Sequence, residues 1–187
     1  MLEAANPVVA ATANLTRQEP SFRDVYSQHM VLVWRLLRRM GVRAADLEDV
    51  CQEVFLVVHR RLPEFEGRSS IRTWLCGIAI RCASDYRNRA HIQRESPLES
   101  DFDRPTEATQ HSTVERHEAR AVLDRILVTL DPDKRAVFVL FEVEGLSMAE
   151  IADTVSCPLQ TAYSRLYAAR EHVENAVARL SNKERAS

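Results

Sequence analysis

The stretch that most restricts what this chain can fold into is Glu144–Leu166, which reads EGLSMAEIADTVSCPLQTAYSRL. Gly145 is able to end one helix, and Ser147 followed three residues later by Glu150 forms a capping box that opens another. Ile151, Ala152 and Val155 give this short helix an apolar face, with the small Ala152 where two helices can approach closely. Ser156-Cys157 makes a turn, and Pro158 suits the first position of the next helix. Two short helices joined by a tight turn have the layout of a DNA-reading helix-turn-helix when the second carries polar groups outward. Here these are Gln160, Thr161, Tyr163, Ser164 and Arg165. An ordinary helical hairpin has the same apolar spacing, so the DNA reading rests on that outward polar set.

The remaining segments are helical as well. Apolar residues recur at spacings of three and four, and strand-like alternation is nearly absent, which predicts an all-α chain. Its 187 residues suffice for two small helical domains, and a hydrophobic share of 45% supplies their cores. Phe22, Val25, Tyr26, Met30, Val33, Leu36, Leu37 and Met40 mark one face of a first helix, ended by Gly41. Asp46 is expected to cap a second, with Leu47, Val50, Cys51, Val54, Phe55, Val58 and Leu62 inward. After the loop Pro63–Ser70, a third helix turns Ile71, Trp74, Leu75, Ile78, Ala79 and Cys82 inward. From Ala90 to Thr113 the periodicity vanishes among Pro, Ser, Thr and acidic residues, the composition of a flexible linker. It resumes at Ala119, Val122, Leu123, Ile126, Leu127 and Leu130, and Asp131-Pro132 opens a further helix with Val137, Phe138, Leu140 and Phe141 on its core side. The last helix continues through Leu166, Ala169, Val173, Val177 and Leu180. The predicted organisation is a disordered tail over 1–20, a helical domain over 21–90, a linker over 91–113, a helix-turn-helix domain over 114–182 and a tail over 183–187.

Charge is distributed in blocks. The formal net charge of −2 argues weakly against a nucleic-acid binder, but distribution matters more than the total. Arg35, Arg38, Arg39 and Arg43 form one basic cluster; Arg68, Arg72, Arg81, Arg87, Arg89 and Arg94 form a second. Asp46, Glu48, Asp49 and Glu53 are grouped, as are Glu95, Glu99, Asp101, Asp103 and Glu107. Such segregation suggests two kinds of partner. No segment reads as a signal peptide or a membrane span. Cys51, Cys76, Cys82 and Cys157 fit no zinc spacing and read as reduced thiols of a cytoplasmic protein. The six histidines are scattered, and neither a nucleophile motif nor a phosphate loop is present, so no enzyme, metal site or cofactor is predicted.

Two helical domains, a polar linker and a terminal helix-turn-helix together resemble the extracytoplasmic-function sigma factors, the minimal group of the sigma-70 family of RNA polymerase initiation factors. The resemblance spans Phe22 to Leu180. It rests on Asp46–Leu56 and Phe65–Leu75 in the first domain, and on Leu130-Asp-Pro, Glu144-Gly-Leu-Ser, Ile151-Ala and Thr161–Leu166 in the second. It implies an alternative sigma factor that directs core polymerase to particular promoters, recognises −35 and −10 elements and assists melting. The acidic helix then resembles the element that docks on the clamp helices of the large polymerase subunit. Core positions Leu47, Val50, Cys51, Val54 and Phe55 leave Asp46, Asp49, Gln52, Glu53 and Leu56 outside, a mixed patch suited to a protein partner.

The loop Glu64–Ser70 and the helix after it resemble the part that melts and reads the −10 element. Capturing a single strand needs positive charge and a place for unstacked bases. Arg68, Ser69, Ser70, Arg72, Arg81, Arg87 and Arg89 are assigned there, while the spacing of Trp74 places it in the core. Gln160, Thr161, Tyr163, Ser164 and Arg165 are assigned to the −35 element, entering the major groove. Four positions depart from the family pattern. Ile71 replaces an aromatic, Ile80-Arg81 stands where Arg-Asn is common, Tyr163 replaces a Lys, and Ser156 replaces a Gly where the backbone often needs positive φ. An anti-sigma factor is an implied partner, and membrane insertion is not. Two DNA-binding faces on one chain can also fold back on the acidic linker or on each other, so the free factor is expected to bind promoter DNA poorly. The competing reading is a one-component helix-turn-helix regulator that works without polymerase docking, for which an acidic docking helix has no use.

Overall fold

The computed structural model describes residues 20–93 and 121–185. Of the expected tail over 1–20 only residue 20 is described, and of the expected linker over 91–113 only residues 91–93, which are not linker but the last residues of the third helix. Ser21 starts the first helix, α1 (Phe22–Arg39), by accepting the Asp24 N–H on its hydroxyl at 3.2 Å. Gly41, at φ +87°, closes it, and the Val42 N–H returns to the Leu37 carbonyl at 3.1 Å. A 3₁₀ turn, Ala44–Asp46, leads into α2 (Leu47–Arg61). Asp46 stands at the N-cap position but makes no cap bond, because its carboxylate is engaged by Arg43 and Tyr86. Ser70 caps α3 (Ile71–Gln93), accepting the Thr73 N–H at 3.0 Å.

The second half begins with α4, described over 121–128. Asp131 caps α5 (Pro132–Phe138), with the proline in its first turn. The helix then widens into a π turn, Val139–Val143, and ends at Gly145 (φ +67°), where the Leu146 N–H returns to the Leu140 carbonyl, one residue wider than a Schellman closure. The capping box of Ser147 and Glu150 forms in full and opens α6 (Met148–Thr154). Ser156 turns the chain at φ +53°, and α7 (Leu159–Arg185) follows. Among the described residues there is no strand.

Helices α1, α2 and α3 pack against one another, α7 packs on both α5 and α6, and α3 also packs on α6. One continuous buried apolar cluster therefore runs through both halves. Four expected core residues, Tyr26, Met30, Val177 and Leu180, are exposed instead. Tyr26 and Met30 are 43% and 38% exposed, because Val25, Leu32, Val33, Leu36 and Leu37 carry the inward stripe of α1; Tyr26 lies edge-on to Phe55 at the rim. Trp74 is half-buried rather than core, its ring 5.1 Å from that of Phe65 on the loop before α3. Val177 and Leu180 are exposed, since among the described side chains of α7 none beyond Ala169 is fully covered.

Candidate functional site

Three surfaces carry the residues singled out by sequence. The first is the outer face of α2. Leu47, Val50, Cys51, Val54 and Phe55 are buried, and this rotates Asp49, Gln52 and Leu56 into solvent. Leu56 is 55% exposed beside Asp49 and Gln52, an apolar side chain with a polar surround. The other two acids have partners within the fold. Asp46 accepts from Arg43 Nε at 2.8 Å and from the Tyr86 hydroxyl, tying the start of α2 to α3. Burial and the Asp46 carboxylate push the Tyr86 phenol up. Glu53 takes both terminal nitrogens of Arg89, at 3.1 and 2.7 Å.

The second surface is the basic face of α3 and its preceding loop. Arg68 and Ser69 are exposed and line a cleft with Thr73, Trp74 and Arg81. The opposite wall belongs to the other half of the chain: Glu150, Asp153 and Thr154 of α6. Arg72 is drawn across to Glu144, donating from Nη1 to its carbonyl at 2.5 Å and from Nη2 to its carboxylate at 2.7 Å. Arg87 and Arg89 lie away from this cleft. Arg87 donates to the Met40 carbonyl at 3.2 Å, and Arg89 holds Glu53. Ser70 serves as the helix cap, its hydroxyl 2.8 Å from that of Thr73. The structure thus brings Arg68, Ser69, Arg72 and Arg81 to one edge and places Arg87 and Arg89 elsewhere.

The third surface is the start of α7. Ala162, Leu166 and Ala169 are buried, which fixes the helix rotation and turns Gln160, Tyr163 and Ser164 outward. Thr161 and Arg165 are half-buried. Arg165 pairs with Asp133 of α5, and Ser164 returns its hydroxyl to the Thr161 carbonyl at 2.9 Å. Leu159 and Tyr167, which the sequence reading did not assign, flank Tyr163 at helical spacing and are 48% and 63% exposed. The exposed stripe at this helix start is therefore more aromatic and less cationic than the residue list suggested.

The contacts between the halves had no sequence signal, because they join residues far apart in the chain. Glu144 has a buried side chain that also meets Arg39 Nη1 at 3.5 Å, and Asp124 of α4 pairs with Arg38 at 3.1 Å. Glu150 accepts the Thr73 hydroxyl at 3.0 Å. Arg135, buried in α5, donates to the Met40 carbonyl at 2.9 Å and to the carbonyls of Val128 and Leu130. Cys51, Cys76 and Cys82 are buried free thiols; burial pushes Cys76 up to about 12, with Glu144 adding to the effect. Among the described residues, no group of three His, Cys, Asp or Glu is placed to hold a metal ion, and no helix is long and apolar enough to cross a membrane.

Known proteins match this arrangement half by half. The sigma-70 region 2 model matches residues 25–91, and the sigma-70 region 4 model matches residues 120–173. The extracytoplasmic-function RNA polymerase sigma-E factor of Haemophilus influenzae is 32% identical over 166 residues, covering 84% of this chain and 87% of that one. The sigma-E factor of Escherichia coli K12 is 34% identical over 149 residues, covering 73% and 76%. Two solved structures share the fold. CnrH in complex with the cytosolic domain of CnrY matches at TM-score 0.62 and 24% identity, covering 91% of this chain and 96% of that one. The sigma factor RpoE in complex with the anti-sigma factor NepR from Bartonella quintana matches at TM-score 0.63 and 22% identity, covering 82% and 96%.

Proposed function

The chain belongs to the extracytoplasmic-function sigma factors of the sigma-70 family, and we propose a division of labour among its three surfaces. It acts as an alternative sigma factor in transcription initiation. The outer face of α2, with Asp49, Gln52 and Leu56 at its centre and Asp46 and Glu53 at its edge, docks on the clamp helices of the large subunit of core polymerase. The α3 edge with Arg68, Ser69, Arg72 and Arg81 takes the −10 strand as the duplex opens; Arg87 and Arg89 support that domain from outside the cleft, and Ser70 sets the start of α3. The start of α7, with Gln160, Thr161, Tyr163, Ser164 and Arg165, reads the −35 element. Residues 21–90 and 114–182 are the two working domains, joined by 91–113. Chemistry stays with the polymerase, so the chain needs no catalytic group of its own, and it works in the cytoplasm. The anti-sigma partner named for the RpoE structure supports a protein inhibitor for this chain too.

One observation carries the reading: region 2 and region 4 matches fall, in order, on the two helical halves that present an acidic helix and a helix-turn-helix. A one-component regulator is not favoured, because it gives the region 2 half no task. The test is in vitro transcription with purified core polymerase, with start sites mapped across genomic DNA. Start sites sharing a common pair of upstream elements are expected. Binding of duplex operators by the chain alone, with no polymerase-dependent start sites, would refute the reading. The docking face is tested by Asp49→Arg with Leu56→Ala, chosen because neither side chain supports the fold. Loss of core polymerase binding with unchanged helicity is expected, and unchanged binding would refute the assignment.

A further inference from the structure

The first turns of α7 carry an exposed stripe of large side chains. Leu159, Tyr163 and Tyr167 stand at successive intervals of four and are 48%, 39% and 63% exposed. That spacing puts them on one helix face, and burial of Ala162, Leu166 and Ala169 turns the face away from the core. Exposed Gln160 and Ser164 lie beside it. The cations of this stretch are engaged with neighbouring helices. Arg165 is held by Asp133 of α5. Arg170 donates from Nε to Glu142 at 2.7 Å, and its guanidinium lies 5.4 Å from the ring centre of Phe141. We propose that the stripe reads thymine methyl groups in the major groove, with Gln160 on adjacent adenine edges, so that the base pairs under the start of α7 are A·T rather than G·C. This rests on the reading of α7 as the helix that enters the −35 duplex, and it adds Leu159 and Tyr167 to that contact.

The physical argument is one of matching chemistry. In the major groove guanine shows two acceptors, which suit the fork of an arginine or the ammonium of a lysine. Adenine shows one acceptor and one donor, which suit the amide of a glutamine. Thymine alone among the four bases shows a methyl group, which suits an apolar side chain. Guanidiniums tied to carboxylates on α5 and its π turn have no free fork to offer guanine. Leucine and tyrosine side chains, in contrast, lose apolar surface to a methyl, and so does the methyl. A tyrosine also carries a hydroxyl at its tip, which can meet a phosphate while the ring faces the base. Leu159 and Tyr167 lie about 12 Å apart along the helix axis, the rise of several base pairs at about 3.4 Å each. The stripe is therefore long enough to meet more than one methyl. Burial of a single methyl corresponds to about a fourfold change in affinity.

The experiment uses the full chain, alone and with core polymerase, and recovers preferred duplexes from a random-sequence library. Each thymine of the recovered sequence is then replaced by uracil, one at a time, which removes the methyl and keeps the base pairing. Duplex affinity is expected to fall about fourfold at one or more of these thymines. That penalty is expected to vanish in Leu159→Ala, Tyr163→Ala or Tyr167→Ala, according to which side chain meets the methyl. All three side chains are exposed, so helicity is expected to stay unchanged. A general loss of folding would weaken thymine and uracil duplexes alike, whereas a methyl contact changes their ratio. Uracil tolerated at every position, a penalty that persists in all three variants, or a recovered sequence of G·C pairs alone would overturn the proposal. Recovery of no duplex in either condition would overturn it as well. Start sites mapped with core polymerase score the promoter reading separately. Methyl-sensitive duplex binding without polymerase-dependent starts would remove that reading and leave the stripe a reader of thymine. Polymerase-dependent starts at full strength from duplexes with uracil throughout would keep the promoter reading and overturn the role of the stripe.

Discussion

Replacing Gly41 by alanine tests the packing of the two halves at its tightest point. Gly41 lies at φ +87°, where a side chain costs about 1–2 kcal/mol of backbone strain whatever surrounds it. A second effect comes from the other half: a Cβ on Gly41 would sit 2.5 Å from Arg135 Nη1, too close to coexist. Ordinarily the end of an arginine side chain moves aside cheaply. Here Nη1 donates to the Met40 carbonyl at 2.9 Å, while Nη2 is fixed by Val128 and Leu130 at 2.6 and 2.9 Å. Moving away gives up a charge-assisted hydrogen bond, worth about 1.5–3 kcal/mol. The charge is already held at a disadvantage. Burial, reinforced by the Arg87 guanidinium, brings Arg135 from 12.5 down to about 10, a penalty on the order of 3 kcal/mol.

In the parent, Gly41→Ala is therefore expected to cost roughly 2.5–5 kcal/mol, the sum of backbone strain and the lost bond. In an Arg135→Met background the shorter neutral side chain withdraws, and only the strain of about 1–2 kcal/mol remains. Arg135→Met itself should cost about 2–4 kcal/mol, through carbonyls left without their donor. Urea unfolding followed by far-ultraviolet circular dichroism closes the double-mutant cycle, with an expected coupling of about 2 kcal/mol between residues of different halves. Additivity within about 0.5 kcal/mol would refute the argument, because it would mean that Arg135 does not sit against Gly41 in solution.

Three further outcomes follow from local features. Ser156→Gly relieves a φ of +53° at an exposed turn and should raise stability by about 1 kcal/mol in thermal or urea melts; a loss would mean that the serine side chain contributes something the backbone strain does not. Glu150 is held below the ordinary 4.5 by the Ser147 hydroxyl and backbone N–H, with Thr73 of the other half assisting. Its contribution is present above 4.5 and lost as pH falls through the depressed value, so Glu150→Gln should flatten the acid limb of the stability profile. His29 is held below 6.5 by burial first and by Arg72 second; its contribution is complete above 6.5 and lost as pH falls through the lowered value. His29→Gln should therefore lose less melting temperature than the parent between about pH 7 and about pH 5.

Helix existence was legible in the sequence because it depends on spacing a few residues long. The capping box of Ser147 and Glu150, the terminators Gly41 and Gly145 and the positive φ at Ser156 are all local, and each is present. Misjudgements arose where a partner outside the helix's own periodicity engaged the same side chain. Asp46 has a cap residue's chemistry, yet Arg43 and Tyr86 take its carboxylate. Trp74 has a core residue's spacing and does pack against the core, but it is only half-buried, with its ring beside that of Phe65. Arg165 was read as an outward cation, yet Asp133, 32 positions earlier, pairs with it and leaves Tyr163 and Tyr167 as the prominent groups. No pattern in the chain marked Glu144 as the partner of Arg72, since the two are 72 residues apart.

The segregated charges suggested two kinds of partner, and the structure adds a third possibility that changes how the first two act. Two types of contact join the halves. Arg135 is buried, has carbonyls rather than a carboxylate as acceptors, and is enclosed by α1 and α5. Arg72 is partly in water, whereas the Glu144 carboxylate it meets is buried. Salt screens exposed pairs far more than buried hydrogen bonds, so ionic strength separates the two contributions. If the Arg72 contact is the more screened of the two, raising salt should weaken the packing of α3 on α6 while the Gly41–Arg135 coupling stays near its low-salt value. A coupling that collapsed together with the cleft contact would mean that the halves part as one rigid step.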